Sequence, residues 1–365
     1  MNRTTTPSTM KRMIAAASVA TLATIGFAGC SSTASSSSTT GAASGPIGVS
    51  LIVKTTTNPF FVAMEDGAKK AADAAGVTLT LAAGKADGDE ASQITAVENA
   101  ISKGDKGILI TPTGPSVEDA LVKARAAGLF VIALDTPPTN KDSVDITFAT
   151  DNYLAGQDIG KWTAAKLAGQ KATIAMLDLF GDKIVSVDVN RDQGFLDGMG
   201  INTADKAKNG DEAKTGTYSG GDYEIVGNEP TNGAEDGGRT AAETLLSKNP
   251  NINVVYTINE PAAYGAYQAF KAAGKTDMIV VSIDGGCAGV KQVKEGIIGA
   301  TAQQYPVKMA ELGVQAIVDL INKGAKPTTS PGLDFYNTGV ALVTDAPQTG
   351  VESIDTTKAS GICWG

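Results

Sequence analysis

The sequence contains no histidine, only three cysteines, and few aromatic side chains (5%). Without histidine, a Ser-His-Asp or Cys-His catalytic arrangement and any histidine-ligated metal site are excluded. Three cysteines are too few for a four-thiolate zinc or iron–sulfur centre. A complete dinucleotide-binding glycine fingerprint and a Walker A motif are also absent from the sequence. We therefore expect no metal site and no cofactor.

Basic residues are also in short supply, because 30 Lys and Arg stand against 39 Asp and Glu, a formal net charge of −9. An acidic chain is a poor partner for the phosphate backbone of nucleic acid, so we expect no nucleic-acid binding. The apolar content of 42% is typical of a globular protein. At about 100–200 residues per domain, the 365 residues predict two domains.

The N-terminal segment predicts export. Residues 1–29 carry three basic side chains and no acid, and the apolar stretch 13–29 is too short and too rich in small residues for a membrane-spanning helix. These features indicate a secretory signal peptide over 1–29. The sequence Phe27-Ala28-Gly29-Cys30 resembles a bacterial lipobox, which implies lipidation of Cys30, although the lipobox prefers Leu where Phe27 stands.

Serine, threonine and small residues dominate 31–45, so residues 30–45 are predicted to be a lipidated cysteine followed by a flexible tether. We therefore expect an extracytoplasmic protein, anchored by lipid to the outer face of the cytoplasmic membrane. The alternative is a soluble secreted protein in which Cys30 is incidental. If Cys30 carries lipid, Cys287 and Cys363 remain as an even pair in an oxidising compartment. This predicts a Cys287–Cys363 disulfide, with two buried free thiols as the alternative.

Short apolar runs alternate with helical patterns through the rest of the chain. Because the runs are rich in Val and Ile and nearly continuous, they predict strands buried on both faces, joined in βαβ units. The predicted strands are 47–53, 77–83, 107–110, 130–134, 146–149, 172–177, 223–226, 254–258, 278–283, 300–303 and 340–343. The predicted helices are 60–75, 89–102, 117–127, 154–167, 191–199, 238–247, 263–273, 290–294 and 307–322. The count predicts two parallel sheets of about five or six strands each.

Ligands of open parallel sheets bind beyond the carboxyl ends of the strands, so the residues that follow each run are the candidates for a site. Taken singly, most of these residues have a structural explanation as helix caps or core aromatics. As a set, they combine carboxylates, amides, cations and aromatic rings, which suits a polyhydroxylated ligand. The candidate ligand-binding residues are Lys54, Asn58, Phe60, Phe61, Asp135, Asp151, Arg191, Asn259, Asp284 and Gln304.

From about residue 46 to the end, the sequence resembles the type I sugar-binding proteins of bacterial ABC importers, in the ribose- and fructose-binding branch. The resemblance is carried by Thr57-Asn58-Pro59-Phe60-Phe61, Gly67-Ala68, Asp135, Asp151-Asn152 with Gly156, Arg191 with Gly194-Phe195, Asn259-Glu260, Ile283-Asp284-Gly285, Gln304-Tyr305-Pro306 and Met309-Ala310. It implies an α/β fold of two Rossmann-like lobes with parallel central sheets, joined by a three-stranded hinge and closing on one sugar. The implied lobes are 46–150 with 305–333, and 151–304 with 334–365.

The resemblance also bears on the sugar. Ribose binders place an Arg where Thr136 stands, and an aromatic side chain near the position of Gly233, so two of their ring contacts are missing. Lys54, Asn259-Glu260-Pro261, Cys287 and Cys363-Trp364-Gly365 are more similar to the fructose-binding proteins. We therefore expect a monomeric lipoprotein that captures a monosaccharide, with fructose favoured and ribose or mannose possible, for an ABC permease and its ATPase.

Two other functions fit the same residues. A receptor of this fold could present a sugar or an autoinducer to a sensor kinase. An enzyme could use Asp135 and Asp284 as the two carboxylates of glycoside hydrolysis. Because such a pair serves equally to hold hydroxyl groups, and because histidine is absent, a binding protein is favoured over an enzyme.

Overall fold

The computed structural model describes residues 46–365. The predicted signal peptide, Cys30 and the tether lie outside the described residues. Within 46–365, none of the helices combines the length and the apolar character needed to cross a membrane.

The first lobe is built on a six-stranded parallel sheet. In chain order its elements are β1 (Gly48–Val53), α1 (Pro59–Ala75), β2 (Thr78–Ala83), α2 (Glu90–Lys103), β3 (Gly107–Ile110), α3 (Ser116–Ala126), β4 (Phe130–Leu134), a 3-10 turn (Lys141–Ser143) and β5 (Ile146–Ala149). Two later elements, α9 (Pro306–Lys323) and β12 (Tyr336–Asn337), return to this lobe. The strand order is β12-β5-β4-β3-β1-β2, and each neighbouring pair is parallel.

The second lobe is built on a seven-stranded sheet. Its elements are α4 (Asn152–Leu167), β6 (Ala172–Asp178), α5 (Ser186–Met199), β7 (Thr215–Tyr218), β8 (Gly221–Pro230), α6 (Glu235–Lys248), β9 (Val254–Thr257), α7 (Glu260–Ala272), β10 (Ile279–Asp284), α8 (Cys287–Lys294), β11 (Ala300–Gln303), β13 (Ala341–Val343) and α10 (Thr356–Ser360). The strand order is β13-β11-β10-β9-β6-β8-β7.

The predicted α/β fold of two lobes is confirmed, but the second sheet is mixed. Two edge strands, β7 and β13, pair antiparallel with β8 and β11. Strand β7 is absent from the predicted strands because its first three residues are exposed and carry no apolar run. Strand β12 is absent from them because it has only two residues.

The chain passes between the two sheets three times: after β5, after β11, and between β12 and β13. The predicted lobe bounds stay a prediction, with one adjustment. Because Tyr336–Asn337 pairs with β5 of the first sheet, the last passage falls after Asn337 rather than at residue 333.

Helices cover both faces of each sheet, which explains the near-continuous apolar runs of the strands. In the first lobe, α1 and α9 pack on one face and α2 and α3 on the other. In the second lobe, α4 and α5 cover one face and α6 and α7 the other. The carboxyl ends of the strands stay open, so the residues that follow them are available for a site.

Glycine allows α4 and α5 to approach closely. A Cβ atom at Gly156 would collide with the backbone carbonyl of Arg191, and one at Gly194 would collide with that of Tyr153. Only glycine permits this backbone approach, so these two positions fix where α5 lies against α4. The contact brings Arg191 next to Asn152 at the start of α4.

Helix α5 begins at Ser186, five residues before the predicted start at Arg191. The apolar pattern does not extend into this first turn, because Asp188 is buried there. Its carboxylate accepts hydrogen bonds from the backbone N–H groups of Leu179 (2.8 Å) and Phe180 (3.4 Å). A sequence pattern treats an acidic residue as solvent-exposed, so a buried aspartate that accepts hydrogen bonds from the backbone hides the start of the helix.

Candidate binding site

A small cavity lies where the carboxyl ends of the two sheets face each other. Its volume is about 30 Å³, and it shares Asn58, Asp87 and Asp284 with an open cleft of about 990 Å³. Nine of the ten predicted site residues line the cavity: Lys54, Asn58, Phe60, Phe61, Asp135, Arg191, Asn259, Asp284 and Gln304. Residues from both lobes therefore meet at one site.

The first lobe contributes an ion pair from the ends of β1 and β4. Lys54 Nζ lies 3.9 Å from Asp135 Oδ2, and both side chains are at most 5% exposed. The Asp135 backbone is left-handed, with φ of 64°. A residue other than glycine held in this conformation costs about 1–3 kcal/mol, and such strain is concentrated at functional sites. Asp135 Oδ1 is buried without a hydrogen-bond partner.

Arg191 of the second lobe faces both site carboxylates. Its Nε donates to Asn152 Oδ1 (2.8 Å) and its Nη1 donates to the Ile258 carbonyl oxygen (2.9 Å), which fixes the guanidinium plane. Its Nη2 lies 3.8 Å from Asp135 Oδ1, and its Nη1 lies 4.0 Å from Asp284 Oδ1. At these separations the guanidinium attracts both carboxylates without satisfying their hydrogen bonds.

Asp284 ends β10, with a positive backbone φ of 146°. Gln304 Nε2 donates to its Oδ1 at 2.7 Å, while Gln304 Oε1 is buried without a partner. Burial raises the pKa of Asp284 to about 6, although Arg191 and the Gln304 hydrogen bond act in the opposite direction. This carboxyl therefore titrates close to neutral pH.

Glu260 holds the loop that follows Asp284 through hydrogen bonds to its backbone. Its buried carboxylate accepts from Gly285 N–H (2.9 Å), Gly286 N–H (3.1 Å) and the Thr301 hydroxyl (2.8 Å). Burial and the nearby Asp284 charge raise its pKa to about 8. Glu260 belongs to one of the motifs that carry the family resemblance, but it was not among the predicted site residues.

Two of the predicted amides also cap helices. Asn58 accepts from Phe60 N–H at the start of α1, and Asn259 accepts from Ala262 N–H at the start of α7. The Asn259 side chain also donates to the Gly233 carbonyl oxygen at 2.9 Å. Asn58 and Asn259 are therefore both helix caps and cavity-lining residues, because the capping hydrogen bonds hold their amides at the edge of the cavity.

Aromatic rings close the first-lobe side. The Phe60 ring meets Phe61 and Trp364 edge-on, each with ring centroids 5.3 Å apart. Trp364 Nε1 donates to the Gln304 carbonyl oxygen at 2.8 Å. The structure joins Cys363 to Cys287 by a disulfide, which holds this C-terminal segment against α8. Trp364 was not among the predicted site residues, and its position depends on a bridge that spans 76 residues.

Asp151 lies outside the cavity, contrary to its prediction as a ligand-binding residue. Its carboxylate accepts from Leu154 N–H at 3.0 Å and caps α4. Its neighbour Asn152 is buried and holds Arg191. Asp87, which was not predicted, lines both the cavity and the cleft. Asp87 follows the carboxyl end of β2, so the criterion that selected the other site residues could have selected it too.

Thr136 and Gly233, the two positions where the sequence differs from the ribose binders, each have a structural role. The Thr136 hydroxyl donates to Asp135 Oδ2 at 2.7 Å. Gly233 has a positive φ of 65° and presents its carbonyl oxygen to Asn259.

Two sheets whose carboxyl ends enclose a polar cavity, with three passages of chain between them, define a two-lobed α/β binding protein. The model of the periplasmic binding protein domain matches residues 47–326. The chain belongs to this family.

Individual relatives agree with this assignment. The ribose import binding protein of Salmonella typhimurium is 30% identical over 76% of this chain and 86% of its own length. The D-apiose import binding protein of Actinobacillus succinogenes is 31% identical over 65% of this chain and 69% of its own. An ABC transporter solute-binding protein from Agrobacterium vitis, solved with bound D-fucose, superposes with a TM-score of 0.70 at 24% identity, covering 87% of this chain and 100% of that one.

Proposed function

We propose that this protein is an extracytoplasmic substrate-binding lipoprotein that captures a neutral monosaccharide between its lobes and delivers it to an ABC permease. The observation that carries the proposal is the buried set of Lys54, Asp135, Arg191 and Asp284. The two cations and two carboxylates of this buried set come from both lobes and balance each other, which suits an uncharged ligand with many hydroxyl groups. Asp87, which is partly exposed, adds a third carboxylate to the cavity lining. The named relatives are import binding proteins for ribose and for D-apiose.

Hydroxyl groups of a sugar match the unused hydrogen-bonding capacity of the site. Asp135 Oδ1 and Gln304 Oε1 are buried acceptors without partners, and Asp284 can accept from a hydroxyl beside its bond to Gln304. Hydrogen bonds to charged groups contribute about 1.5–3 kcal/mol each when water is excluded. The Phe60 and Phe61 rings supply apolar surface for the C–H groups of the sugar.

Closure follows from the division of the site between the lobes. Asp135 belongs to the first lobe, while Arg191 and Asp284 belong to the second. A sugar that binds both sets stabilises the closed arrangement over the open one, and a membrane partner can read that difference. Hinge closure around a ligand is a general property of periplasmic binding proteins, so the motion itself is expected of any member of the class.

Among monosaccharides we favour fructose, with ribose and mannose as the next candidates. Lys54 contributes a buried ammonium group to the cavity, 5.9 Å from the centre of the Phe61 ring. Thr136 replaces a guanidinium of the ribose-binding pattern, so the two sites distribute their donors differently. A ketohexose that presents hydroxyl groups toward Lys54 would use this donor.

Titration calorimetry of the purified protein with D-fructose, D-ribose, D-mannose and D-allose tests the proposal. We expect saturable binding of at least one sugar, and the tightest binding for fructose. If another sugar binds most tightly, the preference for fructose is wrong, but the sugar-binding function stands. Absence of heat for all four sugars, with the fold intact by circular dichroism, would overturn the sugar-binding function.

The lipid anchor has its own test. We expect the Cys30→Ser variant, expressed in a bacterium that processes lipoproteins, to leave the membrane fraction and to lose labelling by a fatty acid. If the variant stays in the membrane fraction with its label, Cys30 is not the lipidated residue.

A further inference from the structure

The C-terminal segment, residues 361–365, connects the two lobes beside the sugar site. It follows α10 of the second lobe, and the Cys287–Cys363 disulfide fixes it to the start of α8. The Cys287 N–H also donates to the Trp364 carbonyl oxygen at 2.9 Å. The segment lies beyond residues 47–326, which match the family domain. Its backbone is therefore attached to the second lobe by contacts outside the matched domain.

The Trp364 side chain leaves this segment and packs into the first lobe. It is only 8% exposed, and it belongs to an apolar cluster in which every other buried member comes from first-lobe elements. Its ring meets Phe60 of the first lobe edge-on, with the ring centroids 5.3 Å apart. It also lies against Gly286 of the second lobe, where a Cβ atom would be 3.2 Å from two atoms of the indole ring. The ring therefore contacts both lobes at once.

The indole N–H of Trp364 holds a residue of the site. Its Nε1 donates to the Gln304 carbonyl oxygen at 2.8 Å. Gln304 follows β11, where the chain passes from the second sheet to the first. Gln304 in turn donates twice to Asp284, from its backbone N–H to the carbonyl oxygen (2.9 Å) and from Nε2 to Oδ1 (2.7 Å). Trp364 is therefore connected to Asp284 through one intervening residue.

Trp364 acts through these neighbours, because it does not itself line the cavity. Its ring lines the adjoining cleft. Phe60, Gln304 and Asp284 do line the cavity, and Trp364 reaches each of them directly or through one hydrogen-bonded residue. Loss of the indole ring would therefore loosen the site in both lobes and at the passage between them.

A link of this kind favours the closed arrangement before any sugar binds. Phe60 and Gly286 belong to different lobes, so the indole ring must lose its contact with one of them when the lobes move apart. A protein whose binding-competent arrangement is only partly populated binds its ligand with an affinity reduced by that fraction. A contact that raises the closed population of the sugar-free protein therefore lowers the Kd for sugar.

We propose that Trp364 is a positioning residue for sugar binding, which the disulfide clamps to the second lobe and which links that lobe to Phe60 of the first. The proposal rests on the sugar-binding function proposed above. The link holds Phe60 and Gln304 at the cavity and increases the closed population, so Trp364 raises sugar affinity without touching the sugar. The disulfide contributes to the same effect because it fixes the segment that carries Trp364.

Trp364→Phe and Trp162→Phe form a matched pair of variants. Each replaces a buried tryptophan and removes an indole hydrogen bond to a carbonyl oxygen, which is 2.8 Å long at Trp364 and 2.9 Å long between Trp162 and Ala346. Trp162 is 1% exposed and lines neither the cavity nor the cleft. In titration calorimetry with the best-binding sugar, we expect Trp364→Phe to raise the Kd by about three- to tenfold and Trp162→Phe to leave it unchanged.

Two further variants separate the ring from the disulfide. Trp364→Ala also removes the ring contact with Phe60, so its Kd should rise by at least about tenfold. The double variant Cys287→Ser and Cys363→Ser keeps the ring but releases the segment, and its Kd should rise by about three- to tenfold. Equal Kd values in Trp364→Phe and Trp162→Phe, whether unchanged or raised, would overturn the proposal.

Two measurements without sugar test the link separately from the proposed function. Small-angle X-ray scattering should give a larger radius of gyration for sugar-free Trp364→Ala than for the sugar-free wild type, and equal values at saturating sugar. The emission of Trp364 is the difference between the spectra of the wild type and Trp364→Phe. It should move to longer wavelength when the same pair is compared without the disulfide, because the indole ring then becomes exposed to water.

Each of these measurements can contradict the proposal. An unchanged sugar-free radius of gyration would overturn the link between the lobes, and an unchanged emission would overturn the role of the disulfide. Absence of sugar binding by the wild type would overturn the proposed function instead, and the two sugar-free measurements would still decide whether the link exists.

Discussion

Arg191 Nη2 of the second lobe lies 3.8 Å from Asp135 Oδ1 of the first lobe, so the guanidinium and the carboxylate face each other across the boundary between the lobes. The Asp135 oxygen has no hydrogen-bond partner, while the guanidinium is held from behind by Asn152 and the Ile258 carbonyl. A ligand bridging the two would complete contacts with both lobes.

Replacement of Arg191 should weaken sugar binding. We expect Arg191→Ala to raise the Kd by at least about tenfold, because it removes charge-assisted hydrogen bonds to a buried ligand. Calorimetry with the best-binding sugar gives the measurement. Arg239→Ala is the control, since Arg239 is exposed on α6 and should leave the Kd unchanged. An unchanged Kd in a folded Arg191→Ala protein would place the ligand elsewhere.

Sugar affinity should depend on pH through Asp284. Its pKa in the free protein is raised by burial to about 6, and a carboxylate accepts sugar hydroxyls better than a protonated carboxyl does. Binding therefore favours the ionised form. We expect the Kd measured by calorimetry to be constant well above pH 6 and to rise by up to about tenfold per pH unit below it.

The ionisation of Asp284 should affect folding stability in the opposite direction: a rise in pH should strengthen sugar binding but lower the stability of the fold. Between the unfolded pKa of 3.8 and the folded pKa of about 6, the folded protein binds more protons at Asp284. Its contribution to the free energy of unfolding therefore falls as the pH rises through this window.

The Asp284→Asn variant tests the pH dependence of sugar binding. It should bind sugar weakly, and its Kd should not depend on pH near 6. A plot of Kd against pH identical to that of the wild type would assign the dependence to another group.

Lys183 should stabilise the closed arrangement of the lobes without touching the ligand. Its Nζ, from the second lobe, donates to the Gly88 carbonyl oxygen (3.2 Å) and to Glu90 Oε1 (3.4 Å) of the first lobe. We expect Lys183→Met to raise the Kd by about two- to fivefold, the effect of a contact worth roughly 0.5–1 kcal/mol. Lys171→Met removes a pair within one lobe and should leave the Kd unchanged. Equal Kd values in both variants would contradict a role of Lys183 in closure.

The Cys287–Cys363 disulfide should contribute strongly to stability. It closes a loop with a sequence separation of 76, for which the chain-entropy model gives about 4.5 kcal/mol. We expect the double variant Cys287→Ser and Cys363→Ser to unfold at lower urea concentration, with a reduction in the free energy of unfolding of up to this amount. Dithiothreitol should lower the urea midpoint of the wild type but not that of the double variant. A wild-type midpoint insensitive to reduction would show that the bridge contributes little.

Asp151 should affect stability and leave binding unchanged. Loss of its N-cap on α4 in an Asp151→Ala variant is expected to lower the free energy of unfolding by about 1 kcal/mol, measured by urea denaturation. The Kd for sugar should stay at the wild-type value, because Asp151 does not line the cavity. A large increase in the Kd would restore Asp151 to the ligand-binding residues.

The sequence by itself determined the alternation of strands and helices, because buried parallel strands need continuous apolar runs that can be read directly. It also predicted most of the residues that line the cavity, since the strand ends of parallel sheets meet by topology. Lys54, Asp135 and Asp284 each follow an apolar run directly, and all three line the cavity.

Only the tertiary structure decided which strand-end residue faces the site. Asp151 and Asn152 are adjacent in the sequence, yet one caps α4 and the other holds Arg191. The same holds for Trp364, which meets Phe60 and Gln304 only because the chain folds back and the disulfide joins positions 76 residues apart. The chemistry of these residues depends on burial and on the separation between atoms, and neither quantity is contained in local sequence patterns.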